Sequence, residues 1–591
     1  MNGKADVVFL GGSVLTVDAR NTVAGAVAVK GDRILATGAS RDIGGLVGPD
    51  TKVYRLHGET VMPGFIEAHN HMSGYGLDRL GVDCKNGVNS IEDIKVRIRK
   101  AAQSATEAVA GSAATSASSS AGGWIRAWGY DQSKLAEQRH PTRWDLDEVA
   151  PDRPVILRRT CGHIAVANTR ALQLVGVLRD GGRGVGGGGG GTAGEGDRAG
   201  RVGHEGGRDL VDPPGGKFGR TEDGRLNGVL YEAAQQVLRK AAAPSYEEVR
   251  QAMLVTDRDY VRLGITSSHD AGSAEGAHRA MAENAASGAS KLRIYFMIRG
   301  GADNTMARNF YGTGLSTGFG NDRLRIGPYK AMTDGSSSGP TAGTRQPYTS
   351  QPDNSGILYF SQKELNELIE EAHAHGYQVT THAVGDRAIE MTLNAIESAL
   401  SKWPRADHRH RIEHCAICPP DLVERVKRLG VVPVAQPIFF WEFGDGYLRN
   451  YGPERVRWMF PARTYAAEGI IAAGSSDCPV TRVDPVWGIY EALSRTTVGG
   501  QSAGAEERIG LFDAVRMFTI NGAYASFEEK IKGSLEPGKL ADLIVLDRNL
   551  IGSCPEDIRD AAVALTMIGG EVAYQLPGEI GASTSEETLR R

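Results

Sequence analysis

The chain has 591 residues, and 41% of them are hydrophobic, which is enough to bury a large core. Its 67 lysines and arginines nearly balance its 71 aspartates and glutamates, so the formal net charge is only −4. The sequence has no basic stripe of the kind that binds duplex nucleic acid, so we do not expect nucleic acid as a partner. Six cysteines are too few for a disulfide framework, no run of about 18 apolar residues could span a membrane, and the first residues lack a secretory pattern. We therefore expect a cytoplasmic protein that has no membrane partner.

The first sixty residues contain short β-segments separated by turn pairs such as Gly-Gly and Pro-Asp. Similar material returns near the other end, where a turn-rich stretch at 533–539 leads into the strand-like run Ala541–Leu546. Residues 1–60 and 526–591 are therefore predicted to form one small β-domain together.

Residues 61–525 alternate strand-like apolar runs with helical patterns, which is typical of βα units around a parallel sheet. In one unit, Ser361 and Glu364 form a capping box that predicts a helix up to about Gly376, and the following strand ends at His382. The next units repeat this plan. The sequence therefore favours a (β/α) barrel, in which reactive side chains lie at the carboxyl ends of the strands.

Two segments inside this region do not follow the plan. Residues 104–123 are mostly Ala, Ser and Gly, and residues 180–217 contain a run of six glycines, so both lack the apolar mass needed to pack. We predict that they are flexible surface insertions. Six strand candidates precede His382, whereas an eight-stranded barrel has room for four, so at least two of them are expected to belong to insertions or extensions.

A candidate metal site begins with His69 and His71, which close an apolar run. Residues i and i+2 of an extended strand face the same side, so both imidazoles can reach one divalent cation. His382 and His414 close two later predicted strands, and Asp477 follows another apolar run. Imidazoles suit zinc and similar metals, and a carboxylate can both bind the metal and take a proton from a water. The five residues are therefore predicted to form a hydrolytic metal centre.

Several segments carry a resemblance to a known family. They are Pro63–His71 (Pro-Gly-Phe-Ile-Glu-Ala-His-Asn-His), Gly129–Asp131, Thr380–Ala388, Arg411–His414, Gly474–Val480, and the stretches at 228–234 and 533–546. In these segments the chain resembles the amidohydrolase superfamily and, more closely, its YtcJ-like branch, which includes the N-substituted formamide deformylases. The resemblance extends over nearly the whole chain. It implies an α/β fold, a (β/α)8 TIM-like barrel with a small β-sandwich domain formed from both chain ends, and metal at the barrel mouth.

The resemblance also implies a ligand that bridges two metals, because many amidohydrolases use a lysine carboxylated on its amine. Lys330 is the matching candidate, since carboxylation would turn a cationic amine into an anionic oxygen donor. Glu232 is the rival bridging carboxylate. The expected cofactor is a divalent metal, zinc before others, with one or two ions.

Other candidates concern the substrate. His163 resembles an element of the same branch and could polarise a substrate carbonyl. Tyr130, Asp131, Phe439 and Trp441 are candidates for the lining of a substrate pocket.

These observations predict metal-dependent hydrolysis of a carbon–nitrogen amide-type bond in a small molecule, with Asp477 as general base and then general acid. The aromatic candidates favour an N-substituted amide or formamide with an apolar group. Hydrolysis of cyclic amides, carbamates or lactones, or decarboxylation of an aromatic acid, is the alternative. A non-catalytic binding module is a second alternative, which analysis of the metal content would distinguish. A homodimer is compatible with these predictions.

Overall fold

The computed structural model describes residues 3–110, 123–160, 162, 164–178, 210–213, 216–239, 241–272, 276–578, 580 and 582–584, with the backbone alone at 104–110, 239 and 582–584. His163 and most of the two predicted flexible insertions lie outside the described residues, although residues 104–110 continue a helix. The chain divides into two compact units, Met1–Met72 with Leu254–Arg591, and Ser73–Met253. Residues 73–253, which the sequence assigns to the barrel domain, thus form a unit of their own.

The two ends of the chain share one sheet in the first unit. Within the described residues this sheet has nine strands: β1 (Val7–Leu15), β2 (Val23–Lys30), β3 (Arg33–Gly38), β4 (Lys52–Arg55), β5 (Thr60–Pro63), β20 (Leu543–Leu546), β21 (Val563–Ile568), β22 (Glu571–Gln575) and β23 (Ala582–Thr584). Strand β20 pairs antiparallel with β5 and thereby joins the two ends. Side chains alternate along β1, so Val7 and Phe9 enter one apolar core and Val8 enters another. This sheet is the β-domain that the sequence predicts from both ends.

A nearly closed barrel of parallel strands forms the rest of the first unit. The described residues give it eight strands: β6 (Phe65–Asn70), β13 (Ile265–Asp270), β14 (Arg293–Arg299), β15 (Leu324–Met332), β16 (Val379–Ala383), β17 (Arg411–His414), β18 (Val432–Ala435) and β19 (Ala473–Gly474). They pair in that order. Between the last strand and the first, the backbone N–H of Asp477 donates to the carbonyl of His69 at 3.0 Å, and that of His71 donates to Cys478 at 2.8 Å. The predicted barrel is confirmed.

The second unit contains a separate sheet. Its described strands, in the order β11–β12–β10–β9–β8–β7, are β7 (Val82–Asp83), β8 (Ile125–Tyr130), β9 (Val155–Arg159), β10 (Ile164–Ala167), β11 (Gly216–Arg220) and β12 (Leu226–Glu232). Two of the six strand candidates before His382 are β8 and β9. The other four are the barrel strands β6, β13, β14 and β15, so Lys330 lies in a barrel strand.

Helices follow most barrel strands. Those in the described part of the chain are α1 (Ser40–Gly44), α2 (Met72–Leu80), α3 (Ile91–Ala110), α4 (Arg143–Asp147), α5 (Thr169–Leu174), α6 (Gln236–Arg239), α7 (Tyr246–Arg262), α8 (Ala277–Ala286), α9 (Thr305–Gly312), α10 (Gln362–Ala374), α11 (Asp386–Lys402), α12 (Pro420–Leu429), α13 (Phe439–Arg457), α14 (Ala462–Ala467), α15 (Pro485–Ser494), α16 (Leu511–Met517), α17 (Ile520–Ala525) and α18 (Pro555–Arg559). Local chemistry sets their ends: Ser361 and Glu364 cap α10 as predicted, and Gly430, with φ of 67°, ends α12 in the left-handed region.

None of these described helices combines the length and apolar character that crossing a membrane requires.

A buried ion pair joins the barrel to the sheet of the chain ends. Arg293 of β14 donates from Nε and Nη2 to the carboxylate of Asp542, at 2.6 and 2.9 Å. Both side chains are almost fully buried. Removing one partner would leave the other charge buried without compensation.

Three histidines, His373, His408 and His410, form a buried histidine cluster beside the barrel. His373 Nε2 donates to the carbonyl of Trp403 at 2.7 Å, so its Nδ1 accepts from His410 Nε2 at 2.9 Å. His408 Nδ1 and His410 Nδ1 accept from backbone N–H groups. Burial lowers the pKa of all three imidazoles, so the histidine cluster is neutral in the folded protein.

Candidate metal centre

The carboxyl ends of β6 and β19 bring two histidines and an aspartate together. Asp477 Oδ1 lies 3.4 Å from His69 Nε2 and 3.3 Å from His71 Nε2, and one potential ligand atom of each residue lies within 4.8 Å of the others. The same carboxylate oxygen is buried and has no hydrogen-bond partner among the described residues. Two imidazole nitrogens that face an unsatisfied anionic oxygen fit a divalent cation, because buried charges are normally paired or bound to metal.

A buried carboxylate orients His69. Glu413 Oε2 binds His69 Nδ1, which leaves the lone pair of Nε2 for a metal. Arg411 donates from Nε to Glu413 Oε1 at 2.8 Å and from Nη2 to Oε2 at 3.1 Å, and the Thr380 hydroxyl donates to Oε1 at 2.6 Å. Burial alone would raise the pKa of Glu413, but Arg411 and His69 hold it well below its usual range. The carboxylate is therefore charged and fixes the tautomer of His69.

Two further histidines, His414 and His382, extend the cluster from His69. The ring centroid of His414 is 5.0 Å from that of His69 and 4.5 Å from that of His382. His414 Nδ1 donates to Gln436 Oε1 at 2.8 Å and His382 Nε2 donates to the carbonyl of Gly335 at 3.0 Å, so one nitrogen of each ring is left to accept. Burial lowers the pKa of His414 to about 4 and that of His382 well below its usual value. Both are neutral imidazoles, the form that binds metals.

Backbone strain is concentrated at the same place. His414 and Asp477 have φ of 71° and 55°, and Cys415, next to His414, has φ of 47°. Residues other than glycine seldom adopt this region, and each such residue costs about 1–3 kcal/mol. The surrounding barrel holds two candidate ligands in these conformations, as is common at functional sites.

Lys330 lies in β15, with its Cα opposite Thr380 of β16. It is 5% exposed, and its ammonium group forms no hydrogen bond or ion pair within the described residues. Burial lowers the pKa of Lys330 to about 8, although the charges of Glu413 and Asp477 act in the opposite direction. Such an amine is partly uncharged near neutral pH.

Three acids at the centre are not singled out by the sequence analysis: Glu413, Glu67 and Asp334. Glu67 Oε1 accepts from the backbone of Ser476 at 2.9 Å, and burial raises the pKa of Glu67 to about 8. Asp334 Oδ1 lies 3.6 Å from His382 Nε2, and burial raises the pKa of Asp334 to about 7. The signal that could have found the two glutamates is their position, because Glu67 is two residues before His69 and Glu413 directly precedes a predicted ligand.

Two of the predicted pocket residues lie on α13 in the first unit. The Phe439 ring is buried 6.1 Å from the ring of His414, so an apolar surface borders the histidines. Trp441 packs edge-on against Trp487, with 5.1 Å between ring centroids.

Three other candidates belong to the second unit. Tyr130 is buried in β8. Asp131 forms an ion pair with Arg159 at 2.9 Å. Glu232 is exposed at the end of β12, with φ of 48°. His163 lies outside the described residues, so the first unit alone supplies the assembled histidines, Lys330 and Asp477.

Comparisons with known proteins agree with this geometry. The chain matches the Amidohydrolase family over residues 52–203 and 198–574. It is 29% identical over 594 residues to the N-substituted formamide deformylase of Arthrobacter pascens, covering 98% of this chain and 100% of that protein. It is 26% identical to the putative amidohydrolase YtcJ of Bacillus subtilis strain 168, covering 96% of this chain and 99% of that protein. The fold is similar to that of an uncharacterized metal-dependent hydrolase from Pyrococcus horikoshii OT3, with a TM-score of 0.72 and 24% identity. The match covers 93% of this chain and 99% of that chain.

The barrel, with histidines and an aspartate that could hold a metal ion at the carboxyl ends of its strands, has the arrangement that a metal-dependent hydrolase requires. The chain belongs to the amidohydrolase family, and it is an enzyme that hydrolyses carbon–nitrogen bonds other than peptide bonds. This family and enzyme class are those that the sequence predicts.

Proposed function

We propose that the enzyme hydrolyses an N-substituted amide or formamide with an apolar group, at a zinc centre of one or two ions. The observation that carries the proposal is the buried Oδ1 of Asp477, which lacks a hydrogen-bond partner among the described residues and faces Nε2 of His69 and of His71. The near full-length similarity to a formamide deformylase supports the substrate class. The ring of Phe439 beside His414 supports an apolar substituent.

The ligands in this proposal are those that the sequence predicts: His69, His71, His382, His414 and Asp477. When bound, a divalent ion lowers the pKa of a coordinated water and polarises a carbonyl oxygen.

A bridging ligand would allow a second ion. Lys330 is our candidate, because a buried amine with a pKa of about 8 and no protein partner among the described residues can react as the free base with carbon dioxide. The product would be an anionic oxygen donor near two imidazoles. Glu232 stays the alternative bridge.

The proposed chemistry needs one proton carrier. As the water oxygen bonds to the carbonyl carbon, Asp477 accepts the water proton, and it then delivers this proton to the nitrogen as the carbon–nitrogen bond breaks. The products are an amine and a carboxylic acid, which is formate when the substrate is a formamide. His163 stays our candidate for a hydrogen bond to the carbonyl oxygen, and Tyr130, Asp131 and Trp441 stay candidates from the sequence for contacts with the substrate. The expected partner is this small molecule, while the homodimer stays a prediction.

A substrate screen tests the proposal. Zinc-loaded protein should hydrolyse N-formyl and N-acetyl derivatives of benzylamine and hexylamine faster than a panel of cyclic amides, carbamates and lactones, as measured by amine release. Turnover of the panel without turnover of the N-acyl amines would show that the substrate class is wrong. Purified protein that holds less than about one-tenth equivalent of metal, and gains no activity when metal is added, would contradict the metal centre itself.

A further inference from the structure

Strand β14 carries an arginine at each end, Arg293 first and Arg299 last. Side chains alternate along a strand, so residues separated by an even number of positions share a side. Arg293, Tyr295 and Arg299 therefore lie on one side of β14, and Phe296 lies on the other.

The contacts of these neighbours show which side faces the barrel interior. The hydroxyl of Tyr295 donates to Gln378 of the barrel at 2.9 Å, and its ring lies 5.2 Å from the ring of His269 in β13. Phe296 instead packs against His278 of the surrounding helix α8, with 4.7 Å between ring centroids. Arg299 thus extends from the interior side of β14.

Arg299 also lies at the end of the barrel that carries the metal centre. Its Cα is paired with that of Lys330 in β15, and the backbone N–H of Gly300 donates to the carbonyl of Lys330 at 2.9 Å. Paired residues of adjacent strands project to the same face of a sheet. The guanidinium charge is close enough to act on the ammonium group of Lys330. Active sites of such barrels are built at this carboxyl end.

The two arginines of β14 differ in their partners. Arg293 is buried and binds Asp542 through two nitrogens. Arg299 is exposed, and its side chain forms no hydrogen bond or ion pair within the described residues. Its methylene groups lie along Gly272, where a Cβ would be 3.7 Å from that of Arg299. A planar cation therefore lies at the barrel mouth, and none of its five N–H donors has a partner in the part of the chain that the structure describes.

We propose that Arg299 binds a carboxylate of the substrate, so that the preferred substrates are N-formyl or N-acyl amines that also carry an acidic group. The proposal rests on the proposed function for the bond that is cleaved. Arginine suits this role because its planar donors match the two oxygens of a carboxylate. An apolar group against Phe439 and an acid at Arg299 are compatible in one molecule, such as an N-formyl aromatic amino acid.

Two substrates that differ only by a carboxylate test the proposal: N-formylphenylalanine and N-formyl-2-phenylethylamine. For Arg299→Met we expect kcat/KM to fall about 10- to 100-fold with the acid, which is the range for one charged hydrogen-bonded contact. With the neutral amide it should change less than about threefold, since the variant retains the metal centre. Arg299→Lys should recover part of the preference, because it keeps the charge without the planar donors.

Arg279→Gln, on the outer helix α8, is the matched control that removes one exposed arginine charge and should leave both rates unchanged. Equal loss of both rates in Arg299→Met, or an unchanged ratio between the two substrates, would overturn the proposal. If wild type hydrolysed neither compound, the proposed function would be wrong for N-formyl amines. Calorimetric titration of N-formylphenylalanine into zinc-loaded wild type and Arg299→Met would still decide the matter: weaker binding to the variant supports the contact with Arg299, and equal or absent binding refutes it.

Discussion

Replacing Glu413 by Gln keeps the shape of the side chain and removes the charge that orients His69. The carboxylate now accepts from Arg411, Thr380 and His69 Nδ1 at once, and only an acceptor facing Nδ1 keeps that proton on Nδ1. In the Gln variant, either the amide NH2 faces His69 and moves the ring proton to Nε2, or it faces Arg411 and meets another donor. The first arrangement removes the lone pair from Nε2, the nitrogen that lies 3.4 Å from Asp477, and the second keeps it only at the cost of an unfavourable contact between two donors.

The magnitude follows from that tautomer change. Loss of a group that orients a metal-binding histidine typically weakens metal binding about 10- to 100-fold, or about 1.4–2.7 kcal/mol. Zinc affinity should be measured by competition with a chromophoric chelator, and zinc content by mass spectrometry after dialysis. Hydrolysis should return when zinc is raised to saturation, because Asp477 is unchanged.

Glu491→Gln is the matched control, since this buried glutamate on α15 binds the backbone of Thr496, and burial raises the pKa of Glu491 to about 8. It is therefore already neutral at pH 7, and its Gln variant should bind zinc like wild type. Zinc affinity of Glu413→Gln within twofold of wild type, in a protein with unchanged thermal unfolding, would refute the orienting role of Glu413.

Three further outcomes are expected. Asp477→Asn should lower kcat by about 10²- to 10⁴-fold, because the proton carrier is lost, while mass spectrometry still finds metal on the histidines. The free energy of unfolding should fall below about pH 6.5, by up to about 1.4 kcal/mol per pH unit for each histidine of the cluster, because the unfolded histidines bind protons that the folded ones, with lowered pKa, do not. His410→Asn should flatten that pH dependence in urea titrations, and an unchanged slope would contradict it. Asp542→Ala should cost about 3–5 kcal/mol in the same titrations, since Arg293 stays buried without a counter-charge.

Much of the fold is encoded in local sequence patterns, and these patterns predict secondary structure. The capping box at Ser361 and the alternation of strands and helices depend on neighbours a few residues apart, so they predict α10 and the barrel directly. The sequence predicts that at least two of the six strand candidates lie outside the barrel, but it does not say which, because β8 and β9 have the same apolar character as barrel strands. Only their pairing partners, which lie far away in sequence, distinguish the two sheets.

The candidate site shows the same limit at the level of single residues. His69 and His71 could be singled out because one strand presents both, whereas the bond between His69 and Glu413 spans 344 residues and exists only once the barrel forms. From their positions near candidate ligands, Glu67 and Glu413 are equally plausible as groups that orient a metal-binding histidine. In the structure burial raises the pKa of Glu67 to about 8, while Arg411 and His69 outweigh burial and hold that of Glu413 well below its usual range. One glutamate is thus a neutral acid that accepts from the backbone of Ser476, and the other is an anion that orients a histidine. What separates them is the guanidinium of Arg411, and its contact with one glutamate and not the other is a property of the folded barrel.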